Sequence, residues 1–323
     1  MLKIINELQE KATASGISED EAFALYTAGN EYPYHLFSAA SALRERFKGK
    51  TIGLCGIVNA KSGRCSEDCK FCAQSSHYET QAPVYPLLSS SRIVREAEAL
   101  ADNGVKRFGI VTSGKKITGD RQWREILTAV EQIGARGIQA CASLGIIDRA
   151  RMVRLKNAGL YRYHHNLETS RSFFPNICTT HDYEEDVETV RVAKGAGLSV
   201  CSGGLIGLGE TIHHRIEMAF TLKELDVDSV PVNILNPIPG TPLADIDPLS
   251  PLEILITIAV FRFILPSKDI KLCGGKEKNL RQLLPLSILA GCNSLMTGNY
   301  LTTTGRNAGL DLEMIRDLGL IPA

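Results

Sequence analysis

The sequence predicts an α/β fold, a (β/α)8 barrel of the TIM type with an N-terminal helical extension. Three observations predict it. After Lys50 the pattern changes, and short apolar runs alternate with longer amphipathic ones. Eight strand-like runs fall within residues 51–298, close to the roughly 250 residues such a barrel needs. Several of the intervening helical runs end in glycine, the usual stop signal.

Residues 1–48 come first and read as helices, with apolar residues at helical spacing around "ELQEKATA" and "EAFALYTAG". The strands then follow in order: "TIGLCGIVN", "KRFGIVTSG", "IQACASLG", "YRYHHNLE", "LSVCSGGLIG", "SVPVNILNP", "DIKLCGG" and "CNSLMTG". Helical runs separate them, among them "SRIVREAEALADNG", "QWREILTAVEQIGARG" and "DRARMVRLKNAGL". A doubly wound open sheet is the second reading of this alternation. "GGLIGLGE" lacks the GxGxxG spacing of a dinucleotide loop. No linker, repeat or low-complexity segment divides the chain, so one domain is expected: helices over 1–48, barrel over 51–298, C-terminal segment over 299–323.

Composition narrows the class. In 323 residues, 36 Lys plus Arg balance 36 Asp plus Glu, so no basic excess points to nucleic acid or an anionic membrane. The most apolar stretch, "ILITIAVFRFIL", contains Arg262 and falls short of the ~20 residues of a membrane span. No signal peptide is read at the N-terminus, and a cytoplasmic protein is expected. Disulfides are rare there, so the nine cysteines must be core thiols, nucleophiles or metal ligands.

Three of the nine cluster in "GRCSEDCKFCAQSSHY", at Cys65, Cys69 and Cys72. The spacing is C-x3-C-x2-C, directly after the first strand, where barrel active sites lie. Thiolates so spaced can hold three irons of a 4Fe-4S cluster and leave the fourth open. Structural zinc wants four closed ligands, and His77 is the one local candidate for a fourth. Elsewhere, alternation along "YHHNLE" puts Asn166 and Glu168 on one face, suited to sugar hydroxyls. A solvated polar strand end is the plainer reading. The histidines His164 and His165 beside them read as structural in at least one case. Glycine richness around Gly204 and Ile206 lets backbone approach a ligand closely. The Asn233 amide both donates and accepts.

The cysteine motif with an aromatic before its last cysteine, Phe71 in "KFC", resembles that of radical S-adenosylmethionine (SAM) enzymes. Further segments extend the resemblance to the biotin synthase family over nearly the whole chain: "KSGRCSEDCKFCAQSSHY", "YHHNLETS", "VCSGGLIGLGE", "VPVNILNPIPGTPL" and "AGCNSLMTGNYLTTTG". The resemblance implies a sulfurtransferase. A 4Fe-4S cluster cleaves SAM to a 5′-deoxyadenosyl radical. The radical abstracts hydrogen from C9 and C6 of dethiobiotin, and an inner iron–sulfur cluster supplies the sulfur of biotin. It assigns Phe71, Asn166, Glu168, Gly204 and Ile206 to SAM and Asn233 to dethiobiotin. It also implies a flavodoxin- or ferredoxin-type reductant and a homodimer. The clusters would carry the chemistry, with no further catalytic side chain.

Three positions depart from the family pattern. Asp186 stands where an Arg usually pairs with the SAM carboxylate, so another cation such as Arg191, or iron alone, would serve. Gly109 and Lys271 stand where the inner cluster usually has a Cys and an Arg ligand. Yet Cys55, Cys141, Cys201 and Cys273 fall on the first, third, fifth and seventh strands. Alternate strands of such a barrel contribute one four-membered inner layer, so these four thiols are the expected ligands of an auxiliary cluster, of four-iron type rather than the usual 2Fe-2S. Small buried core residues are the plainer reading. Cys292 shares the facing parity of Ser294 and is a reserve ligand, while Cys178 reads as an incidental loop residue. Two other functions remain compatible with the first motif: a different radical SAM barrel, such as a hydrogenase-cofactor maturase, and a non-enzymatic iron–sulfur carrier or electron-transfer protein.

Overall fold

Three helices precede the first strand in the computed structural model, which describes residues 2–323: α1 (Leu2–Ala14), α2 (Glu19–Glu31) and α3 (Pro33–Lys48). Ser18 and Glu21 start α2 with a reciprocal capping box. Pro33 opens α3, where its missing N–H is not needed. The chain then alternates: β1 (Thr51–Lys61), α4 (Ser90–Ala101), β2 (Arg107–Thr112), α5 (Asp120–Ala135), β3 (Gln139–Ser143), α6 (Arg149–Asn157), β4 (Arg162–His164) and α7 (Tyr183–Gly195). After these come β5 (Ser199–Cys201), β6 (Gly204–Ile206), α8 (Ile212–Glu224), β7 (Ser229–Ile234), α9 (Pro251–Ile264) and β8 (Asp269–Leu272). The last elements are α10 (Lys276–Leu280), α11 (Leu286–Leu289), β9 (Ser294–Met296), α12 (Ala308–Asp317) and β10 (Ile321–Pro322).

All strand pairings are parallel, and β1 pairs with β9 through Gly53↔Ser294, Leu54↔Leu295 and Cys55↔Met296. That pairing closes the sheet into a barrel and excludes the open doubly wound alternative. The fifth strand is interrupted. β5 and β6 meet β7 in one continuous register, Cys201↔Ser229 and Gly204↔Val232, with Ser202 and Gly203 between them. Pro231 stands opposite the break and has no N–H for the ladder. Gly203 is packed so close that an added Cβ would lie 2.1 Å from Pro231 O. At the other end of the barrel, β10 adds to the start of β1 through Thr51↔Ile321.

Alternation divides the strand residues between two cores. Leu54, Phe108, Ala140, Tyr163, Val200, Val230 and Ile270 are buried beneath the surrounding helices. Their neighbours Cys55, Gly109, Cys141, Arg162, Cys201, Pro231 and Lys271 line a central cavity instead. The apolar run flagged in the sequence is α9, buried along nearly its whole circumference because α1, α2 and α3 pack over it. Arg262 within it is fully buried and gives its hydrogens to the oxygens of Gly291, Pro266, Lys268 and Asn293. Among the described residues, no helix is long and apolar enough to cross a membrane.

Candidate active site

The loop between β1 and α4 carries Cys65, Cys69 and Cys72 at the C-terminal mouth of the barrel. Backbone bonds fold it tightly: Cys65 N donates to Gln74 O at 2.9 Å, Ser76 N to Cys65 O at 2.8 Å, and Cys72 N to Cys69 O at 2.9 Å. The Gln74 side-chain oxygen accepts from Asn59, Ser62 and Gly63, which ties the loop to the end of β1. All three thiols are half-buried. Burial pushes the Cys72 thiol up to about 11, with Cys65 and Glu168 adding to the effect. Three sulfur donors on one short loop fit an iron–sulfur cluster and not a hard cation. His77 does not join them; its ring bonds to Ser66 O at 3.0 Å.

Below the mouth lies a cavity of about 320 Å³. Cys55, Cys141, Cys201 and Cys273 all line it, with Arg107, Arg162 and Lys271. Cys273 extends just beyond β8, and its strand neighbour Lys271 sends Nζ to 3.8 Å from Cys201 Sγ. Burial raises Cys141 to about 11 and raises Cys273 well above its ordinary range. Cys201 behaves differently: burial disfavours its thiolate, but Lys271 and His164 overcome that and bring it to about 5. Lys271 is in turn held in its charged form by Cys201, Cys55 and Cys273, against burial. Arg162 Nη1 is buried with no hydrogen-bond partner. Four thiols facing two buried cations, one of them unsatisfied, form a donor set that fits an anionic iron–sulfur cluster. Gly109, opposite Cys141 on β2, leaves room where the family pattern has a ligand.

Above the thiols, Asn166 and Glu168 point together into the cavity. Asn166 Nδ2 donates to Glu168 Oε2 at 3.1 Å, and Asn166 Oδ1 is buried without a partner. Burial, with Asp186 second, pushes the Glu168 carboxyl up to about 7. Glu168 has φ +63, a conformation disfavoured for a side-chain-bearing residue. It is held there by Leu205 N donating to Glu168 O at 2.8 Å. Gly204 makes this approach possible, since a Cβ there would come within 2.3 Å of Glu168 O. Gly204 itself faces away from the cavity, toward Met218 in the surrounding core. The orphaned Asn166 oxygen beside the Glu168 carboxyl fits a polar ligand with hydroxyl groups, such as a nucleoside. Phe71 and Leu205 also line the cavity, while Ile206, the strand neighbour of Leu205, is fully buried in the surrounding core. Asn233 lies on β7, directly beside Leu205 in the ladder. Its Nδ2 donates to Gly204 O at 3.3 Å and its Oδ1 accepts from Gly274 N at 3.1 Å. One amide hydrogen and one lone pair remain for a ligand.

Three sequence expectations change in the structure. Arg191 lies on the outer face of α7, 58% exposed and beside Glu188, so it is no partner for anything in the cavity. Cys292 precedes β9 rather than lying in it, so strand parity does not apply. It sits in the apolar core outside the cavity, near Arg262 and Arg44. Cys178 is not incidental: it is buried, and Cys69 Sγ lies 3.8 Å from its Sγ. Cys178 also meets His181 Nδ1 at 3.2 Å. The bond from Cys69, outweighing burial, lowers the Cys178 thiol to about 5. Asp186, in the place of the usual Arg, bonds His165 at 2.8 Å and His181 at 3.3 Å. One of the two neighbouring histidines is thus structural, His165, while His164 lines the cavity.

Residues 60–222 match the model of the radical SAM superfamily, and residues 231–321 match that of the biotin and thiamin synthesis associated domain. A biotin synthase of Pelotomaculum thermopropionicum is 53% identical, over 98% of this chain and 99% of its own. The chain belongs to the biotin synthase family. Among solved structures, methylornithine synthase superposes with a TM-score of 0.83 at 21% identity, covering 98% of this chain and 97% of its own. A maturase of the FeFe-hydrogenase gives 0.85 at 19% identity, over 100% of this chain and 76% of its own. At such identities these two share the fold alone. The biotin synthase relationship, at more than half identity over nearly the whole chain, is of a different order and sets aside the maturase alternative.

Proposed function

We propose that this chain inserts sulfur at C6 and C9 of dethiobiotin to form biotin. The observation that carries the reading is the stacking of two thiol sets along one barrel axis, Cys72 at the mouth and Cys55, Cys141, Cys201 and Cys273 on the walls of the same cavity. When bound, SAM and the clusters supply the one-electron chemistry and the sulfide.

The residues of the chain bind, orient and shield. Cys65, Cys69 and Cys72 hold the 4Fe-4S cluster. Phe71, Asn166, Glu168 and the backbone around Gly204 and Ile206 hold SAM, with the free Asn166 Oδ1 toward a hydroxyl. Asn233 uses its spare hydrogen and lone pair on the cyclic urea of dethiobiotin. Cys55, Cys141, Cys201 and Cys273 hold the auxiliary cluster, of four-iron type, and Arg162 and Lys271 balance its negative charge. Ile57, Val111, Leu205 and Met296 make much of the remaining wall apolar, which keeps water from reactive carbon centres. The chain works in the cytoplasm as a homodimer served by a flavodoxin- or ferredoxin-type reductant.

Anaerobic turnover with dethiobiotin, SAM and a strong reductant tests the reading. Biotin should form together with 5′-deoxyadenosine. Deoxyadenosine without biotin would point to another radical reaction. Release of neither would leave an iron–sulfur carrier.

A further inference from the structure

Beside the cysteine loop, outside the cavity, three donor types meet at one point. His181 Nδ1 lies 2.7 Å from Glu67 Oε2 and 3.2 Å from Cys178 Sγ. All three donor atoms fall within 4.8 Å of one another. Glu67 and Cys178 are buried, and the His181 side chain is only 10% exposed. We propose that Glu67, Cys178 and His181 form a mononuclear site for a divalent transition-metal cation, ferrous iron or zinc, separate from both iron–sulfur clusters.

The donor set carries the chemical class. Sulfur and imidazole nitrogen suit borderline-soft cations, whereas magnesium and calcium take oxygen. A thiolate and a carboxylate together neutralise a divalent charge. The surroundings carry the geometry. His181 Nε2 bonds Asp186 Oδ2 at 3.3 Å, and Asp186 Oδ1 bonds His165 at 2.8 Å. A carboxylate behind the far ring nitrogen is the usual support of a metal-bound histidine, because it fixes the ring with the other nitrogen aimed at the ion. Thr180 Oγ1 donates to Glu67 Oε2 at 2.8 Å and orients that carboxylate.

The separations of His181 from Glu67 and from Cys178 are those of hydrogen bonds. Zinc–ligand bond lengths imply donor atoms roughly 3.4–3.6 Å apart in a tetrahedron. The ion therefore replaces the protons that His181 shares with Glu67 and Cys178 and widens those two separations by less than an ångström, with protons released to solvent. With Cys69 assigned to the radical cluster, three protein ligands remain and one coordination position stays open, as in reactive rather than closed structural sites. This site does not rest on the identity of the reaction. It needs only the three side chains and their supports.

Cobalt(II) is the probe, because its X-ray absorption edge is separate from that of iron. The cluster-loaded protein is titrated anaerobically with cobalt and its absorption fine structure is recorded. One cobalt per chain is expected, with one sulfur neighbour and the rest nitrogen or oxygen. Cys178→Ser should remove the sulfur neighbour. Asp186→Asn, which touches the ion only through His181, should weaken cobalt binding roughly 10–100-fold while leaving one sulfur neighbour at saturation. Iron and sulfide content identifies variants that keep their clusters. If Cys178→Ser does not, His181→Gln decides through its cobalt affinity. A parent site without sulfur, a sulfur neighbour that survives Cys178→Ser, or an affinity unchanged in His181→Gln would each overturn the assignment.

Discussion

Lys271 Nζ sits 3.8 Å from Cys201 Sγ inside the barrel, a cation and a thiol facing each other away from water. Burial alone would keep that thiol protonated, and Lys271 is the largest influence in the opposite direction. Lys271→Met keeps the bulk and removes the charge. In cluster-free protein the alkylation of Cys201, followed site by site in a mass spectrometer, should then titrate well above the parent midpoint of about 5. An unchanged midpoint would mean that Lys271 does not govern the thiol.

Glu168 gives a pH dependence with a definite sign. Its folded pKa, about 7, lies above the ordinary carboxyl value of 4.5. Between those values the folded chain binds a proton that the unfolded chain has released, so this group makes stability fall as pH rises from 4.5 to 7. Glu168→Gln should flatten that part of the curve and raise stability at pH 8 relative to the parent. Parallel curves for the two proteins would show that the carboxyl is not held protonated.

Gly204→Ala should be more disruptive than a surface change, because its Cβ would meet Glu168 O at 2.3 Å. Displacing that carbonyl breaks the Leu205–Glu168 bond and moves Asn166 and Glu168 together. SAM affinity, read by equilibrium dialysis, should drop sharply while the clusters still load. Undiminished affinity would remove Asn166 and Glu168 from the SAM site.

Asn233→Ala should weaken dethiobiotin binding by about 1–3 kcal/mol, the usual effect of leaving a buried polar partner unpaired. It also removes the tie from Gly204 O to Gly274 N, so the melting temperature should fall. Asn233→Asp keeps one acceptor and separates the two effects. It should retain the bond from Gly274 while still impairing the ligand. Equal dethiobiotin affinity in all three proteins would exclude Asn233 from the substrate site.

Much of this site was legible because its signals are local or periodic. The C-x3-C-x2-C loop needs no tertiary knowledge. Cys55, Cys141, Cys201 and Cys273 could be placed on one lining because strand alternation and alternate-strand layering are geometric rules. The expected eight strands are present, though the fifth breaks at Ser202 and Gly203 opposite Pro231, a cross-strand effect no single segment displays. Cys292 misled because parity was extended two residues before β9 begins at Ser294. Arg191 was only a nearby cation for the place of the usual Arg, and the sequence does not show that its side chain faces solvent beside Glu188. Cys178 was missed for a different reason. It is 109 residues from Cys69, and only the fold brings the β4–α7 loop against the cysteine loop. The spacing of Cys178 and His181, three residues apart, was the one signal that could have marked it.

The radical cluster has its own test. Cys65→Ala, Cys69→Ala and Cys72→Ala should each abolish reductive cleavage of SAM, since each removes one thiolate. Release of 5′-deoxyadenosine at the parent rate by all three would show that the cluster lies elsewhere.

The central claim is that the four wall cysteines hold a second cluster that gives up its sulfur. Replacing Cys65, Cys69 and Cys72 together should leave that cluster's spectrum intact, and replacing any of Cys55, Cys141, Cys201 or Cys273 should damage it. The direct measurement is isotopic. The cluster is assembled with 34S sulfide, free sulfide is removed, and a single turnover is run with dethiobiotin, SAM and reductant. Biotin enriched in 34S is the predicted product. Biotin carrying only natural-abundance sulfur, formed while the labelled cluster persists, would contradict the donor role.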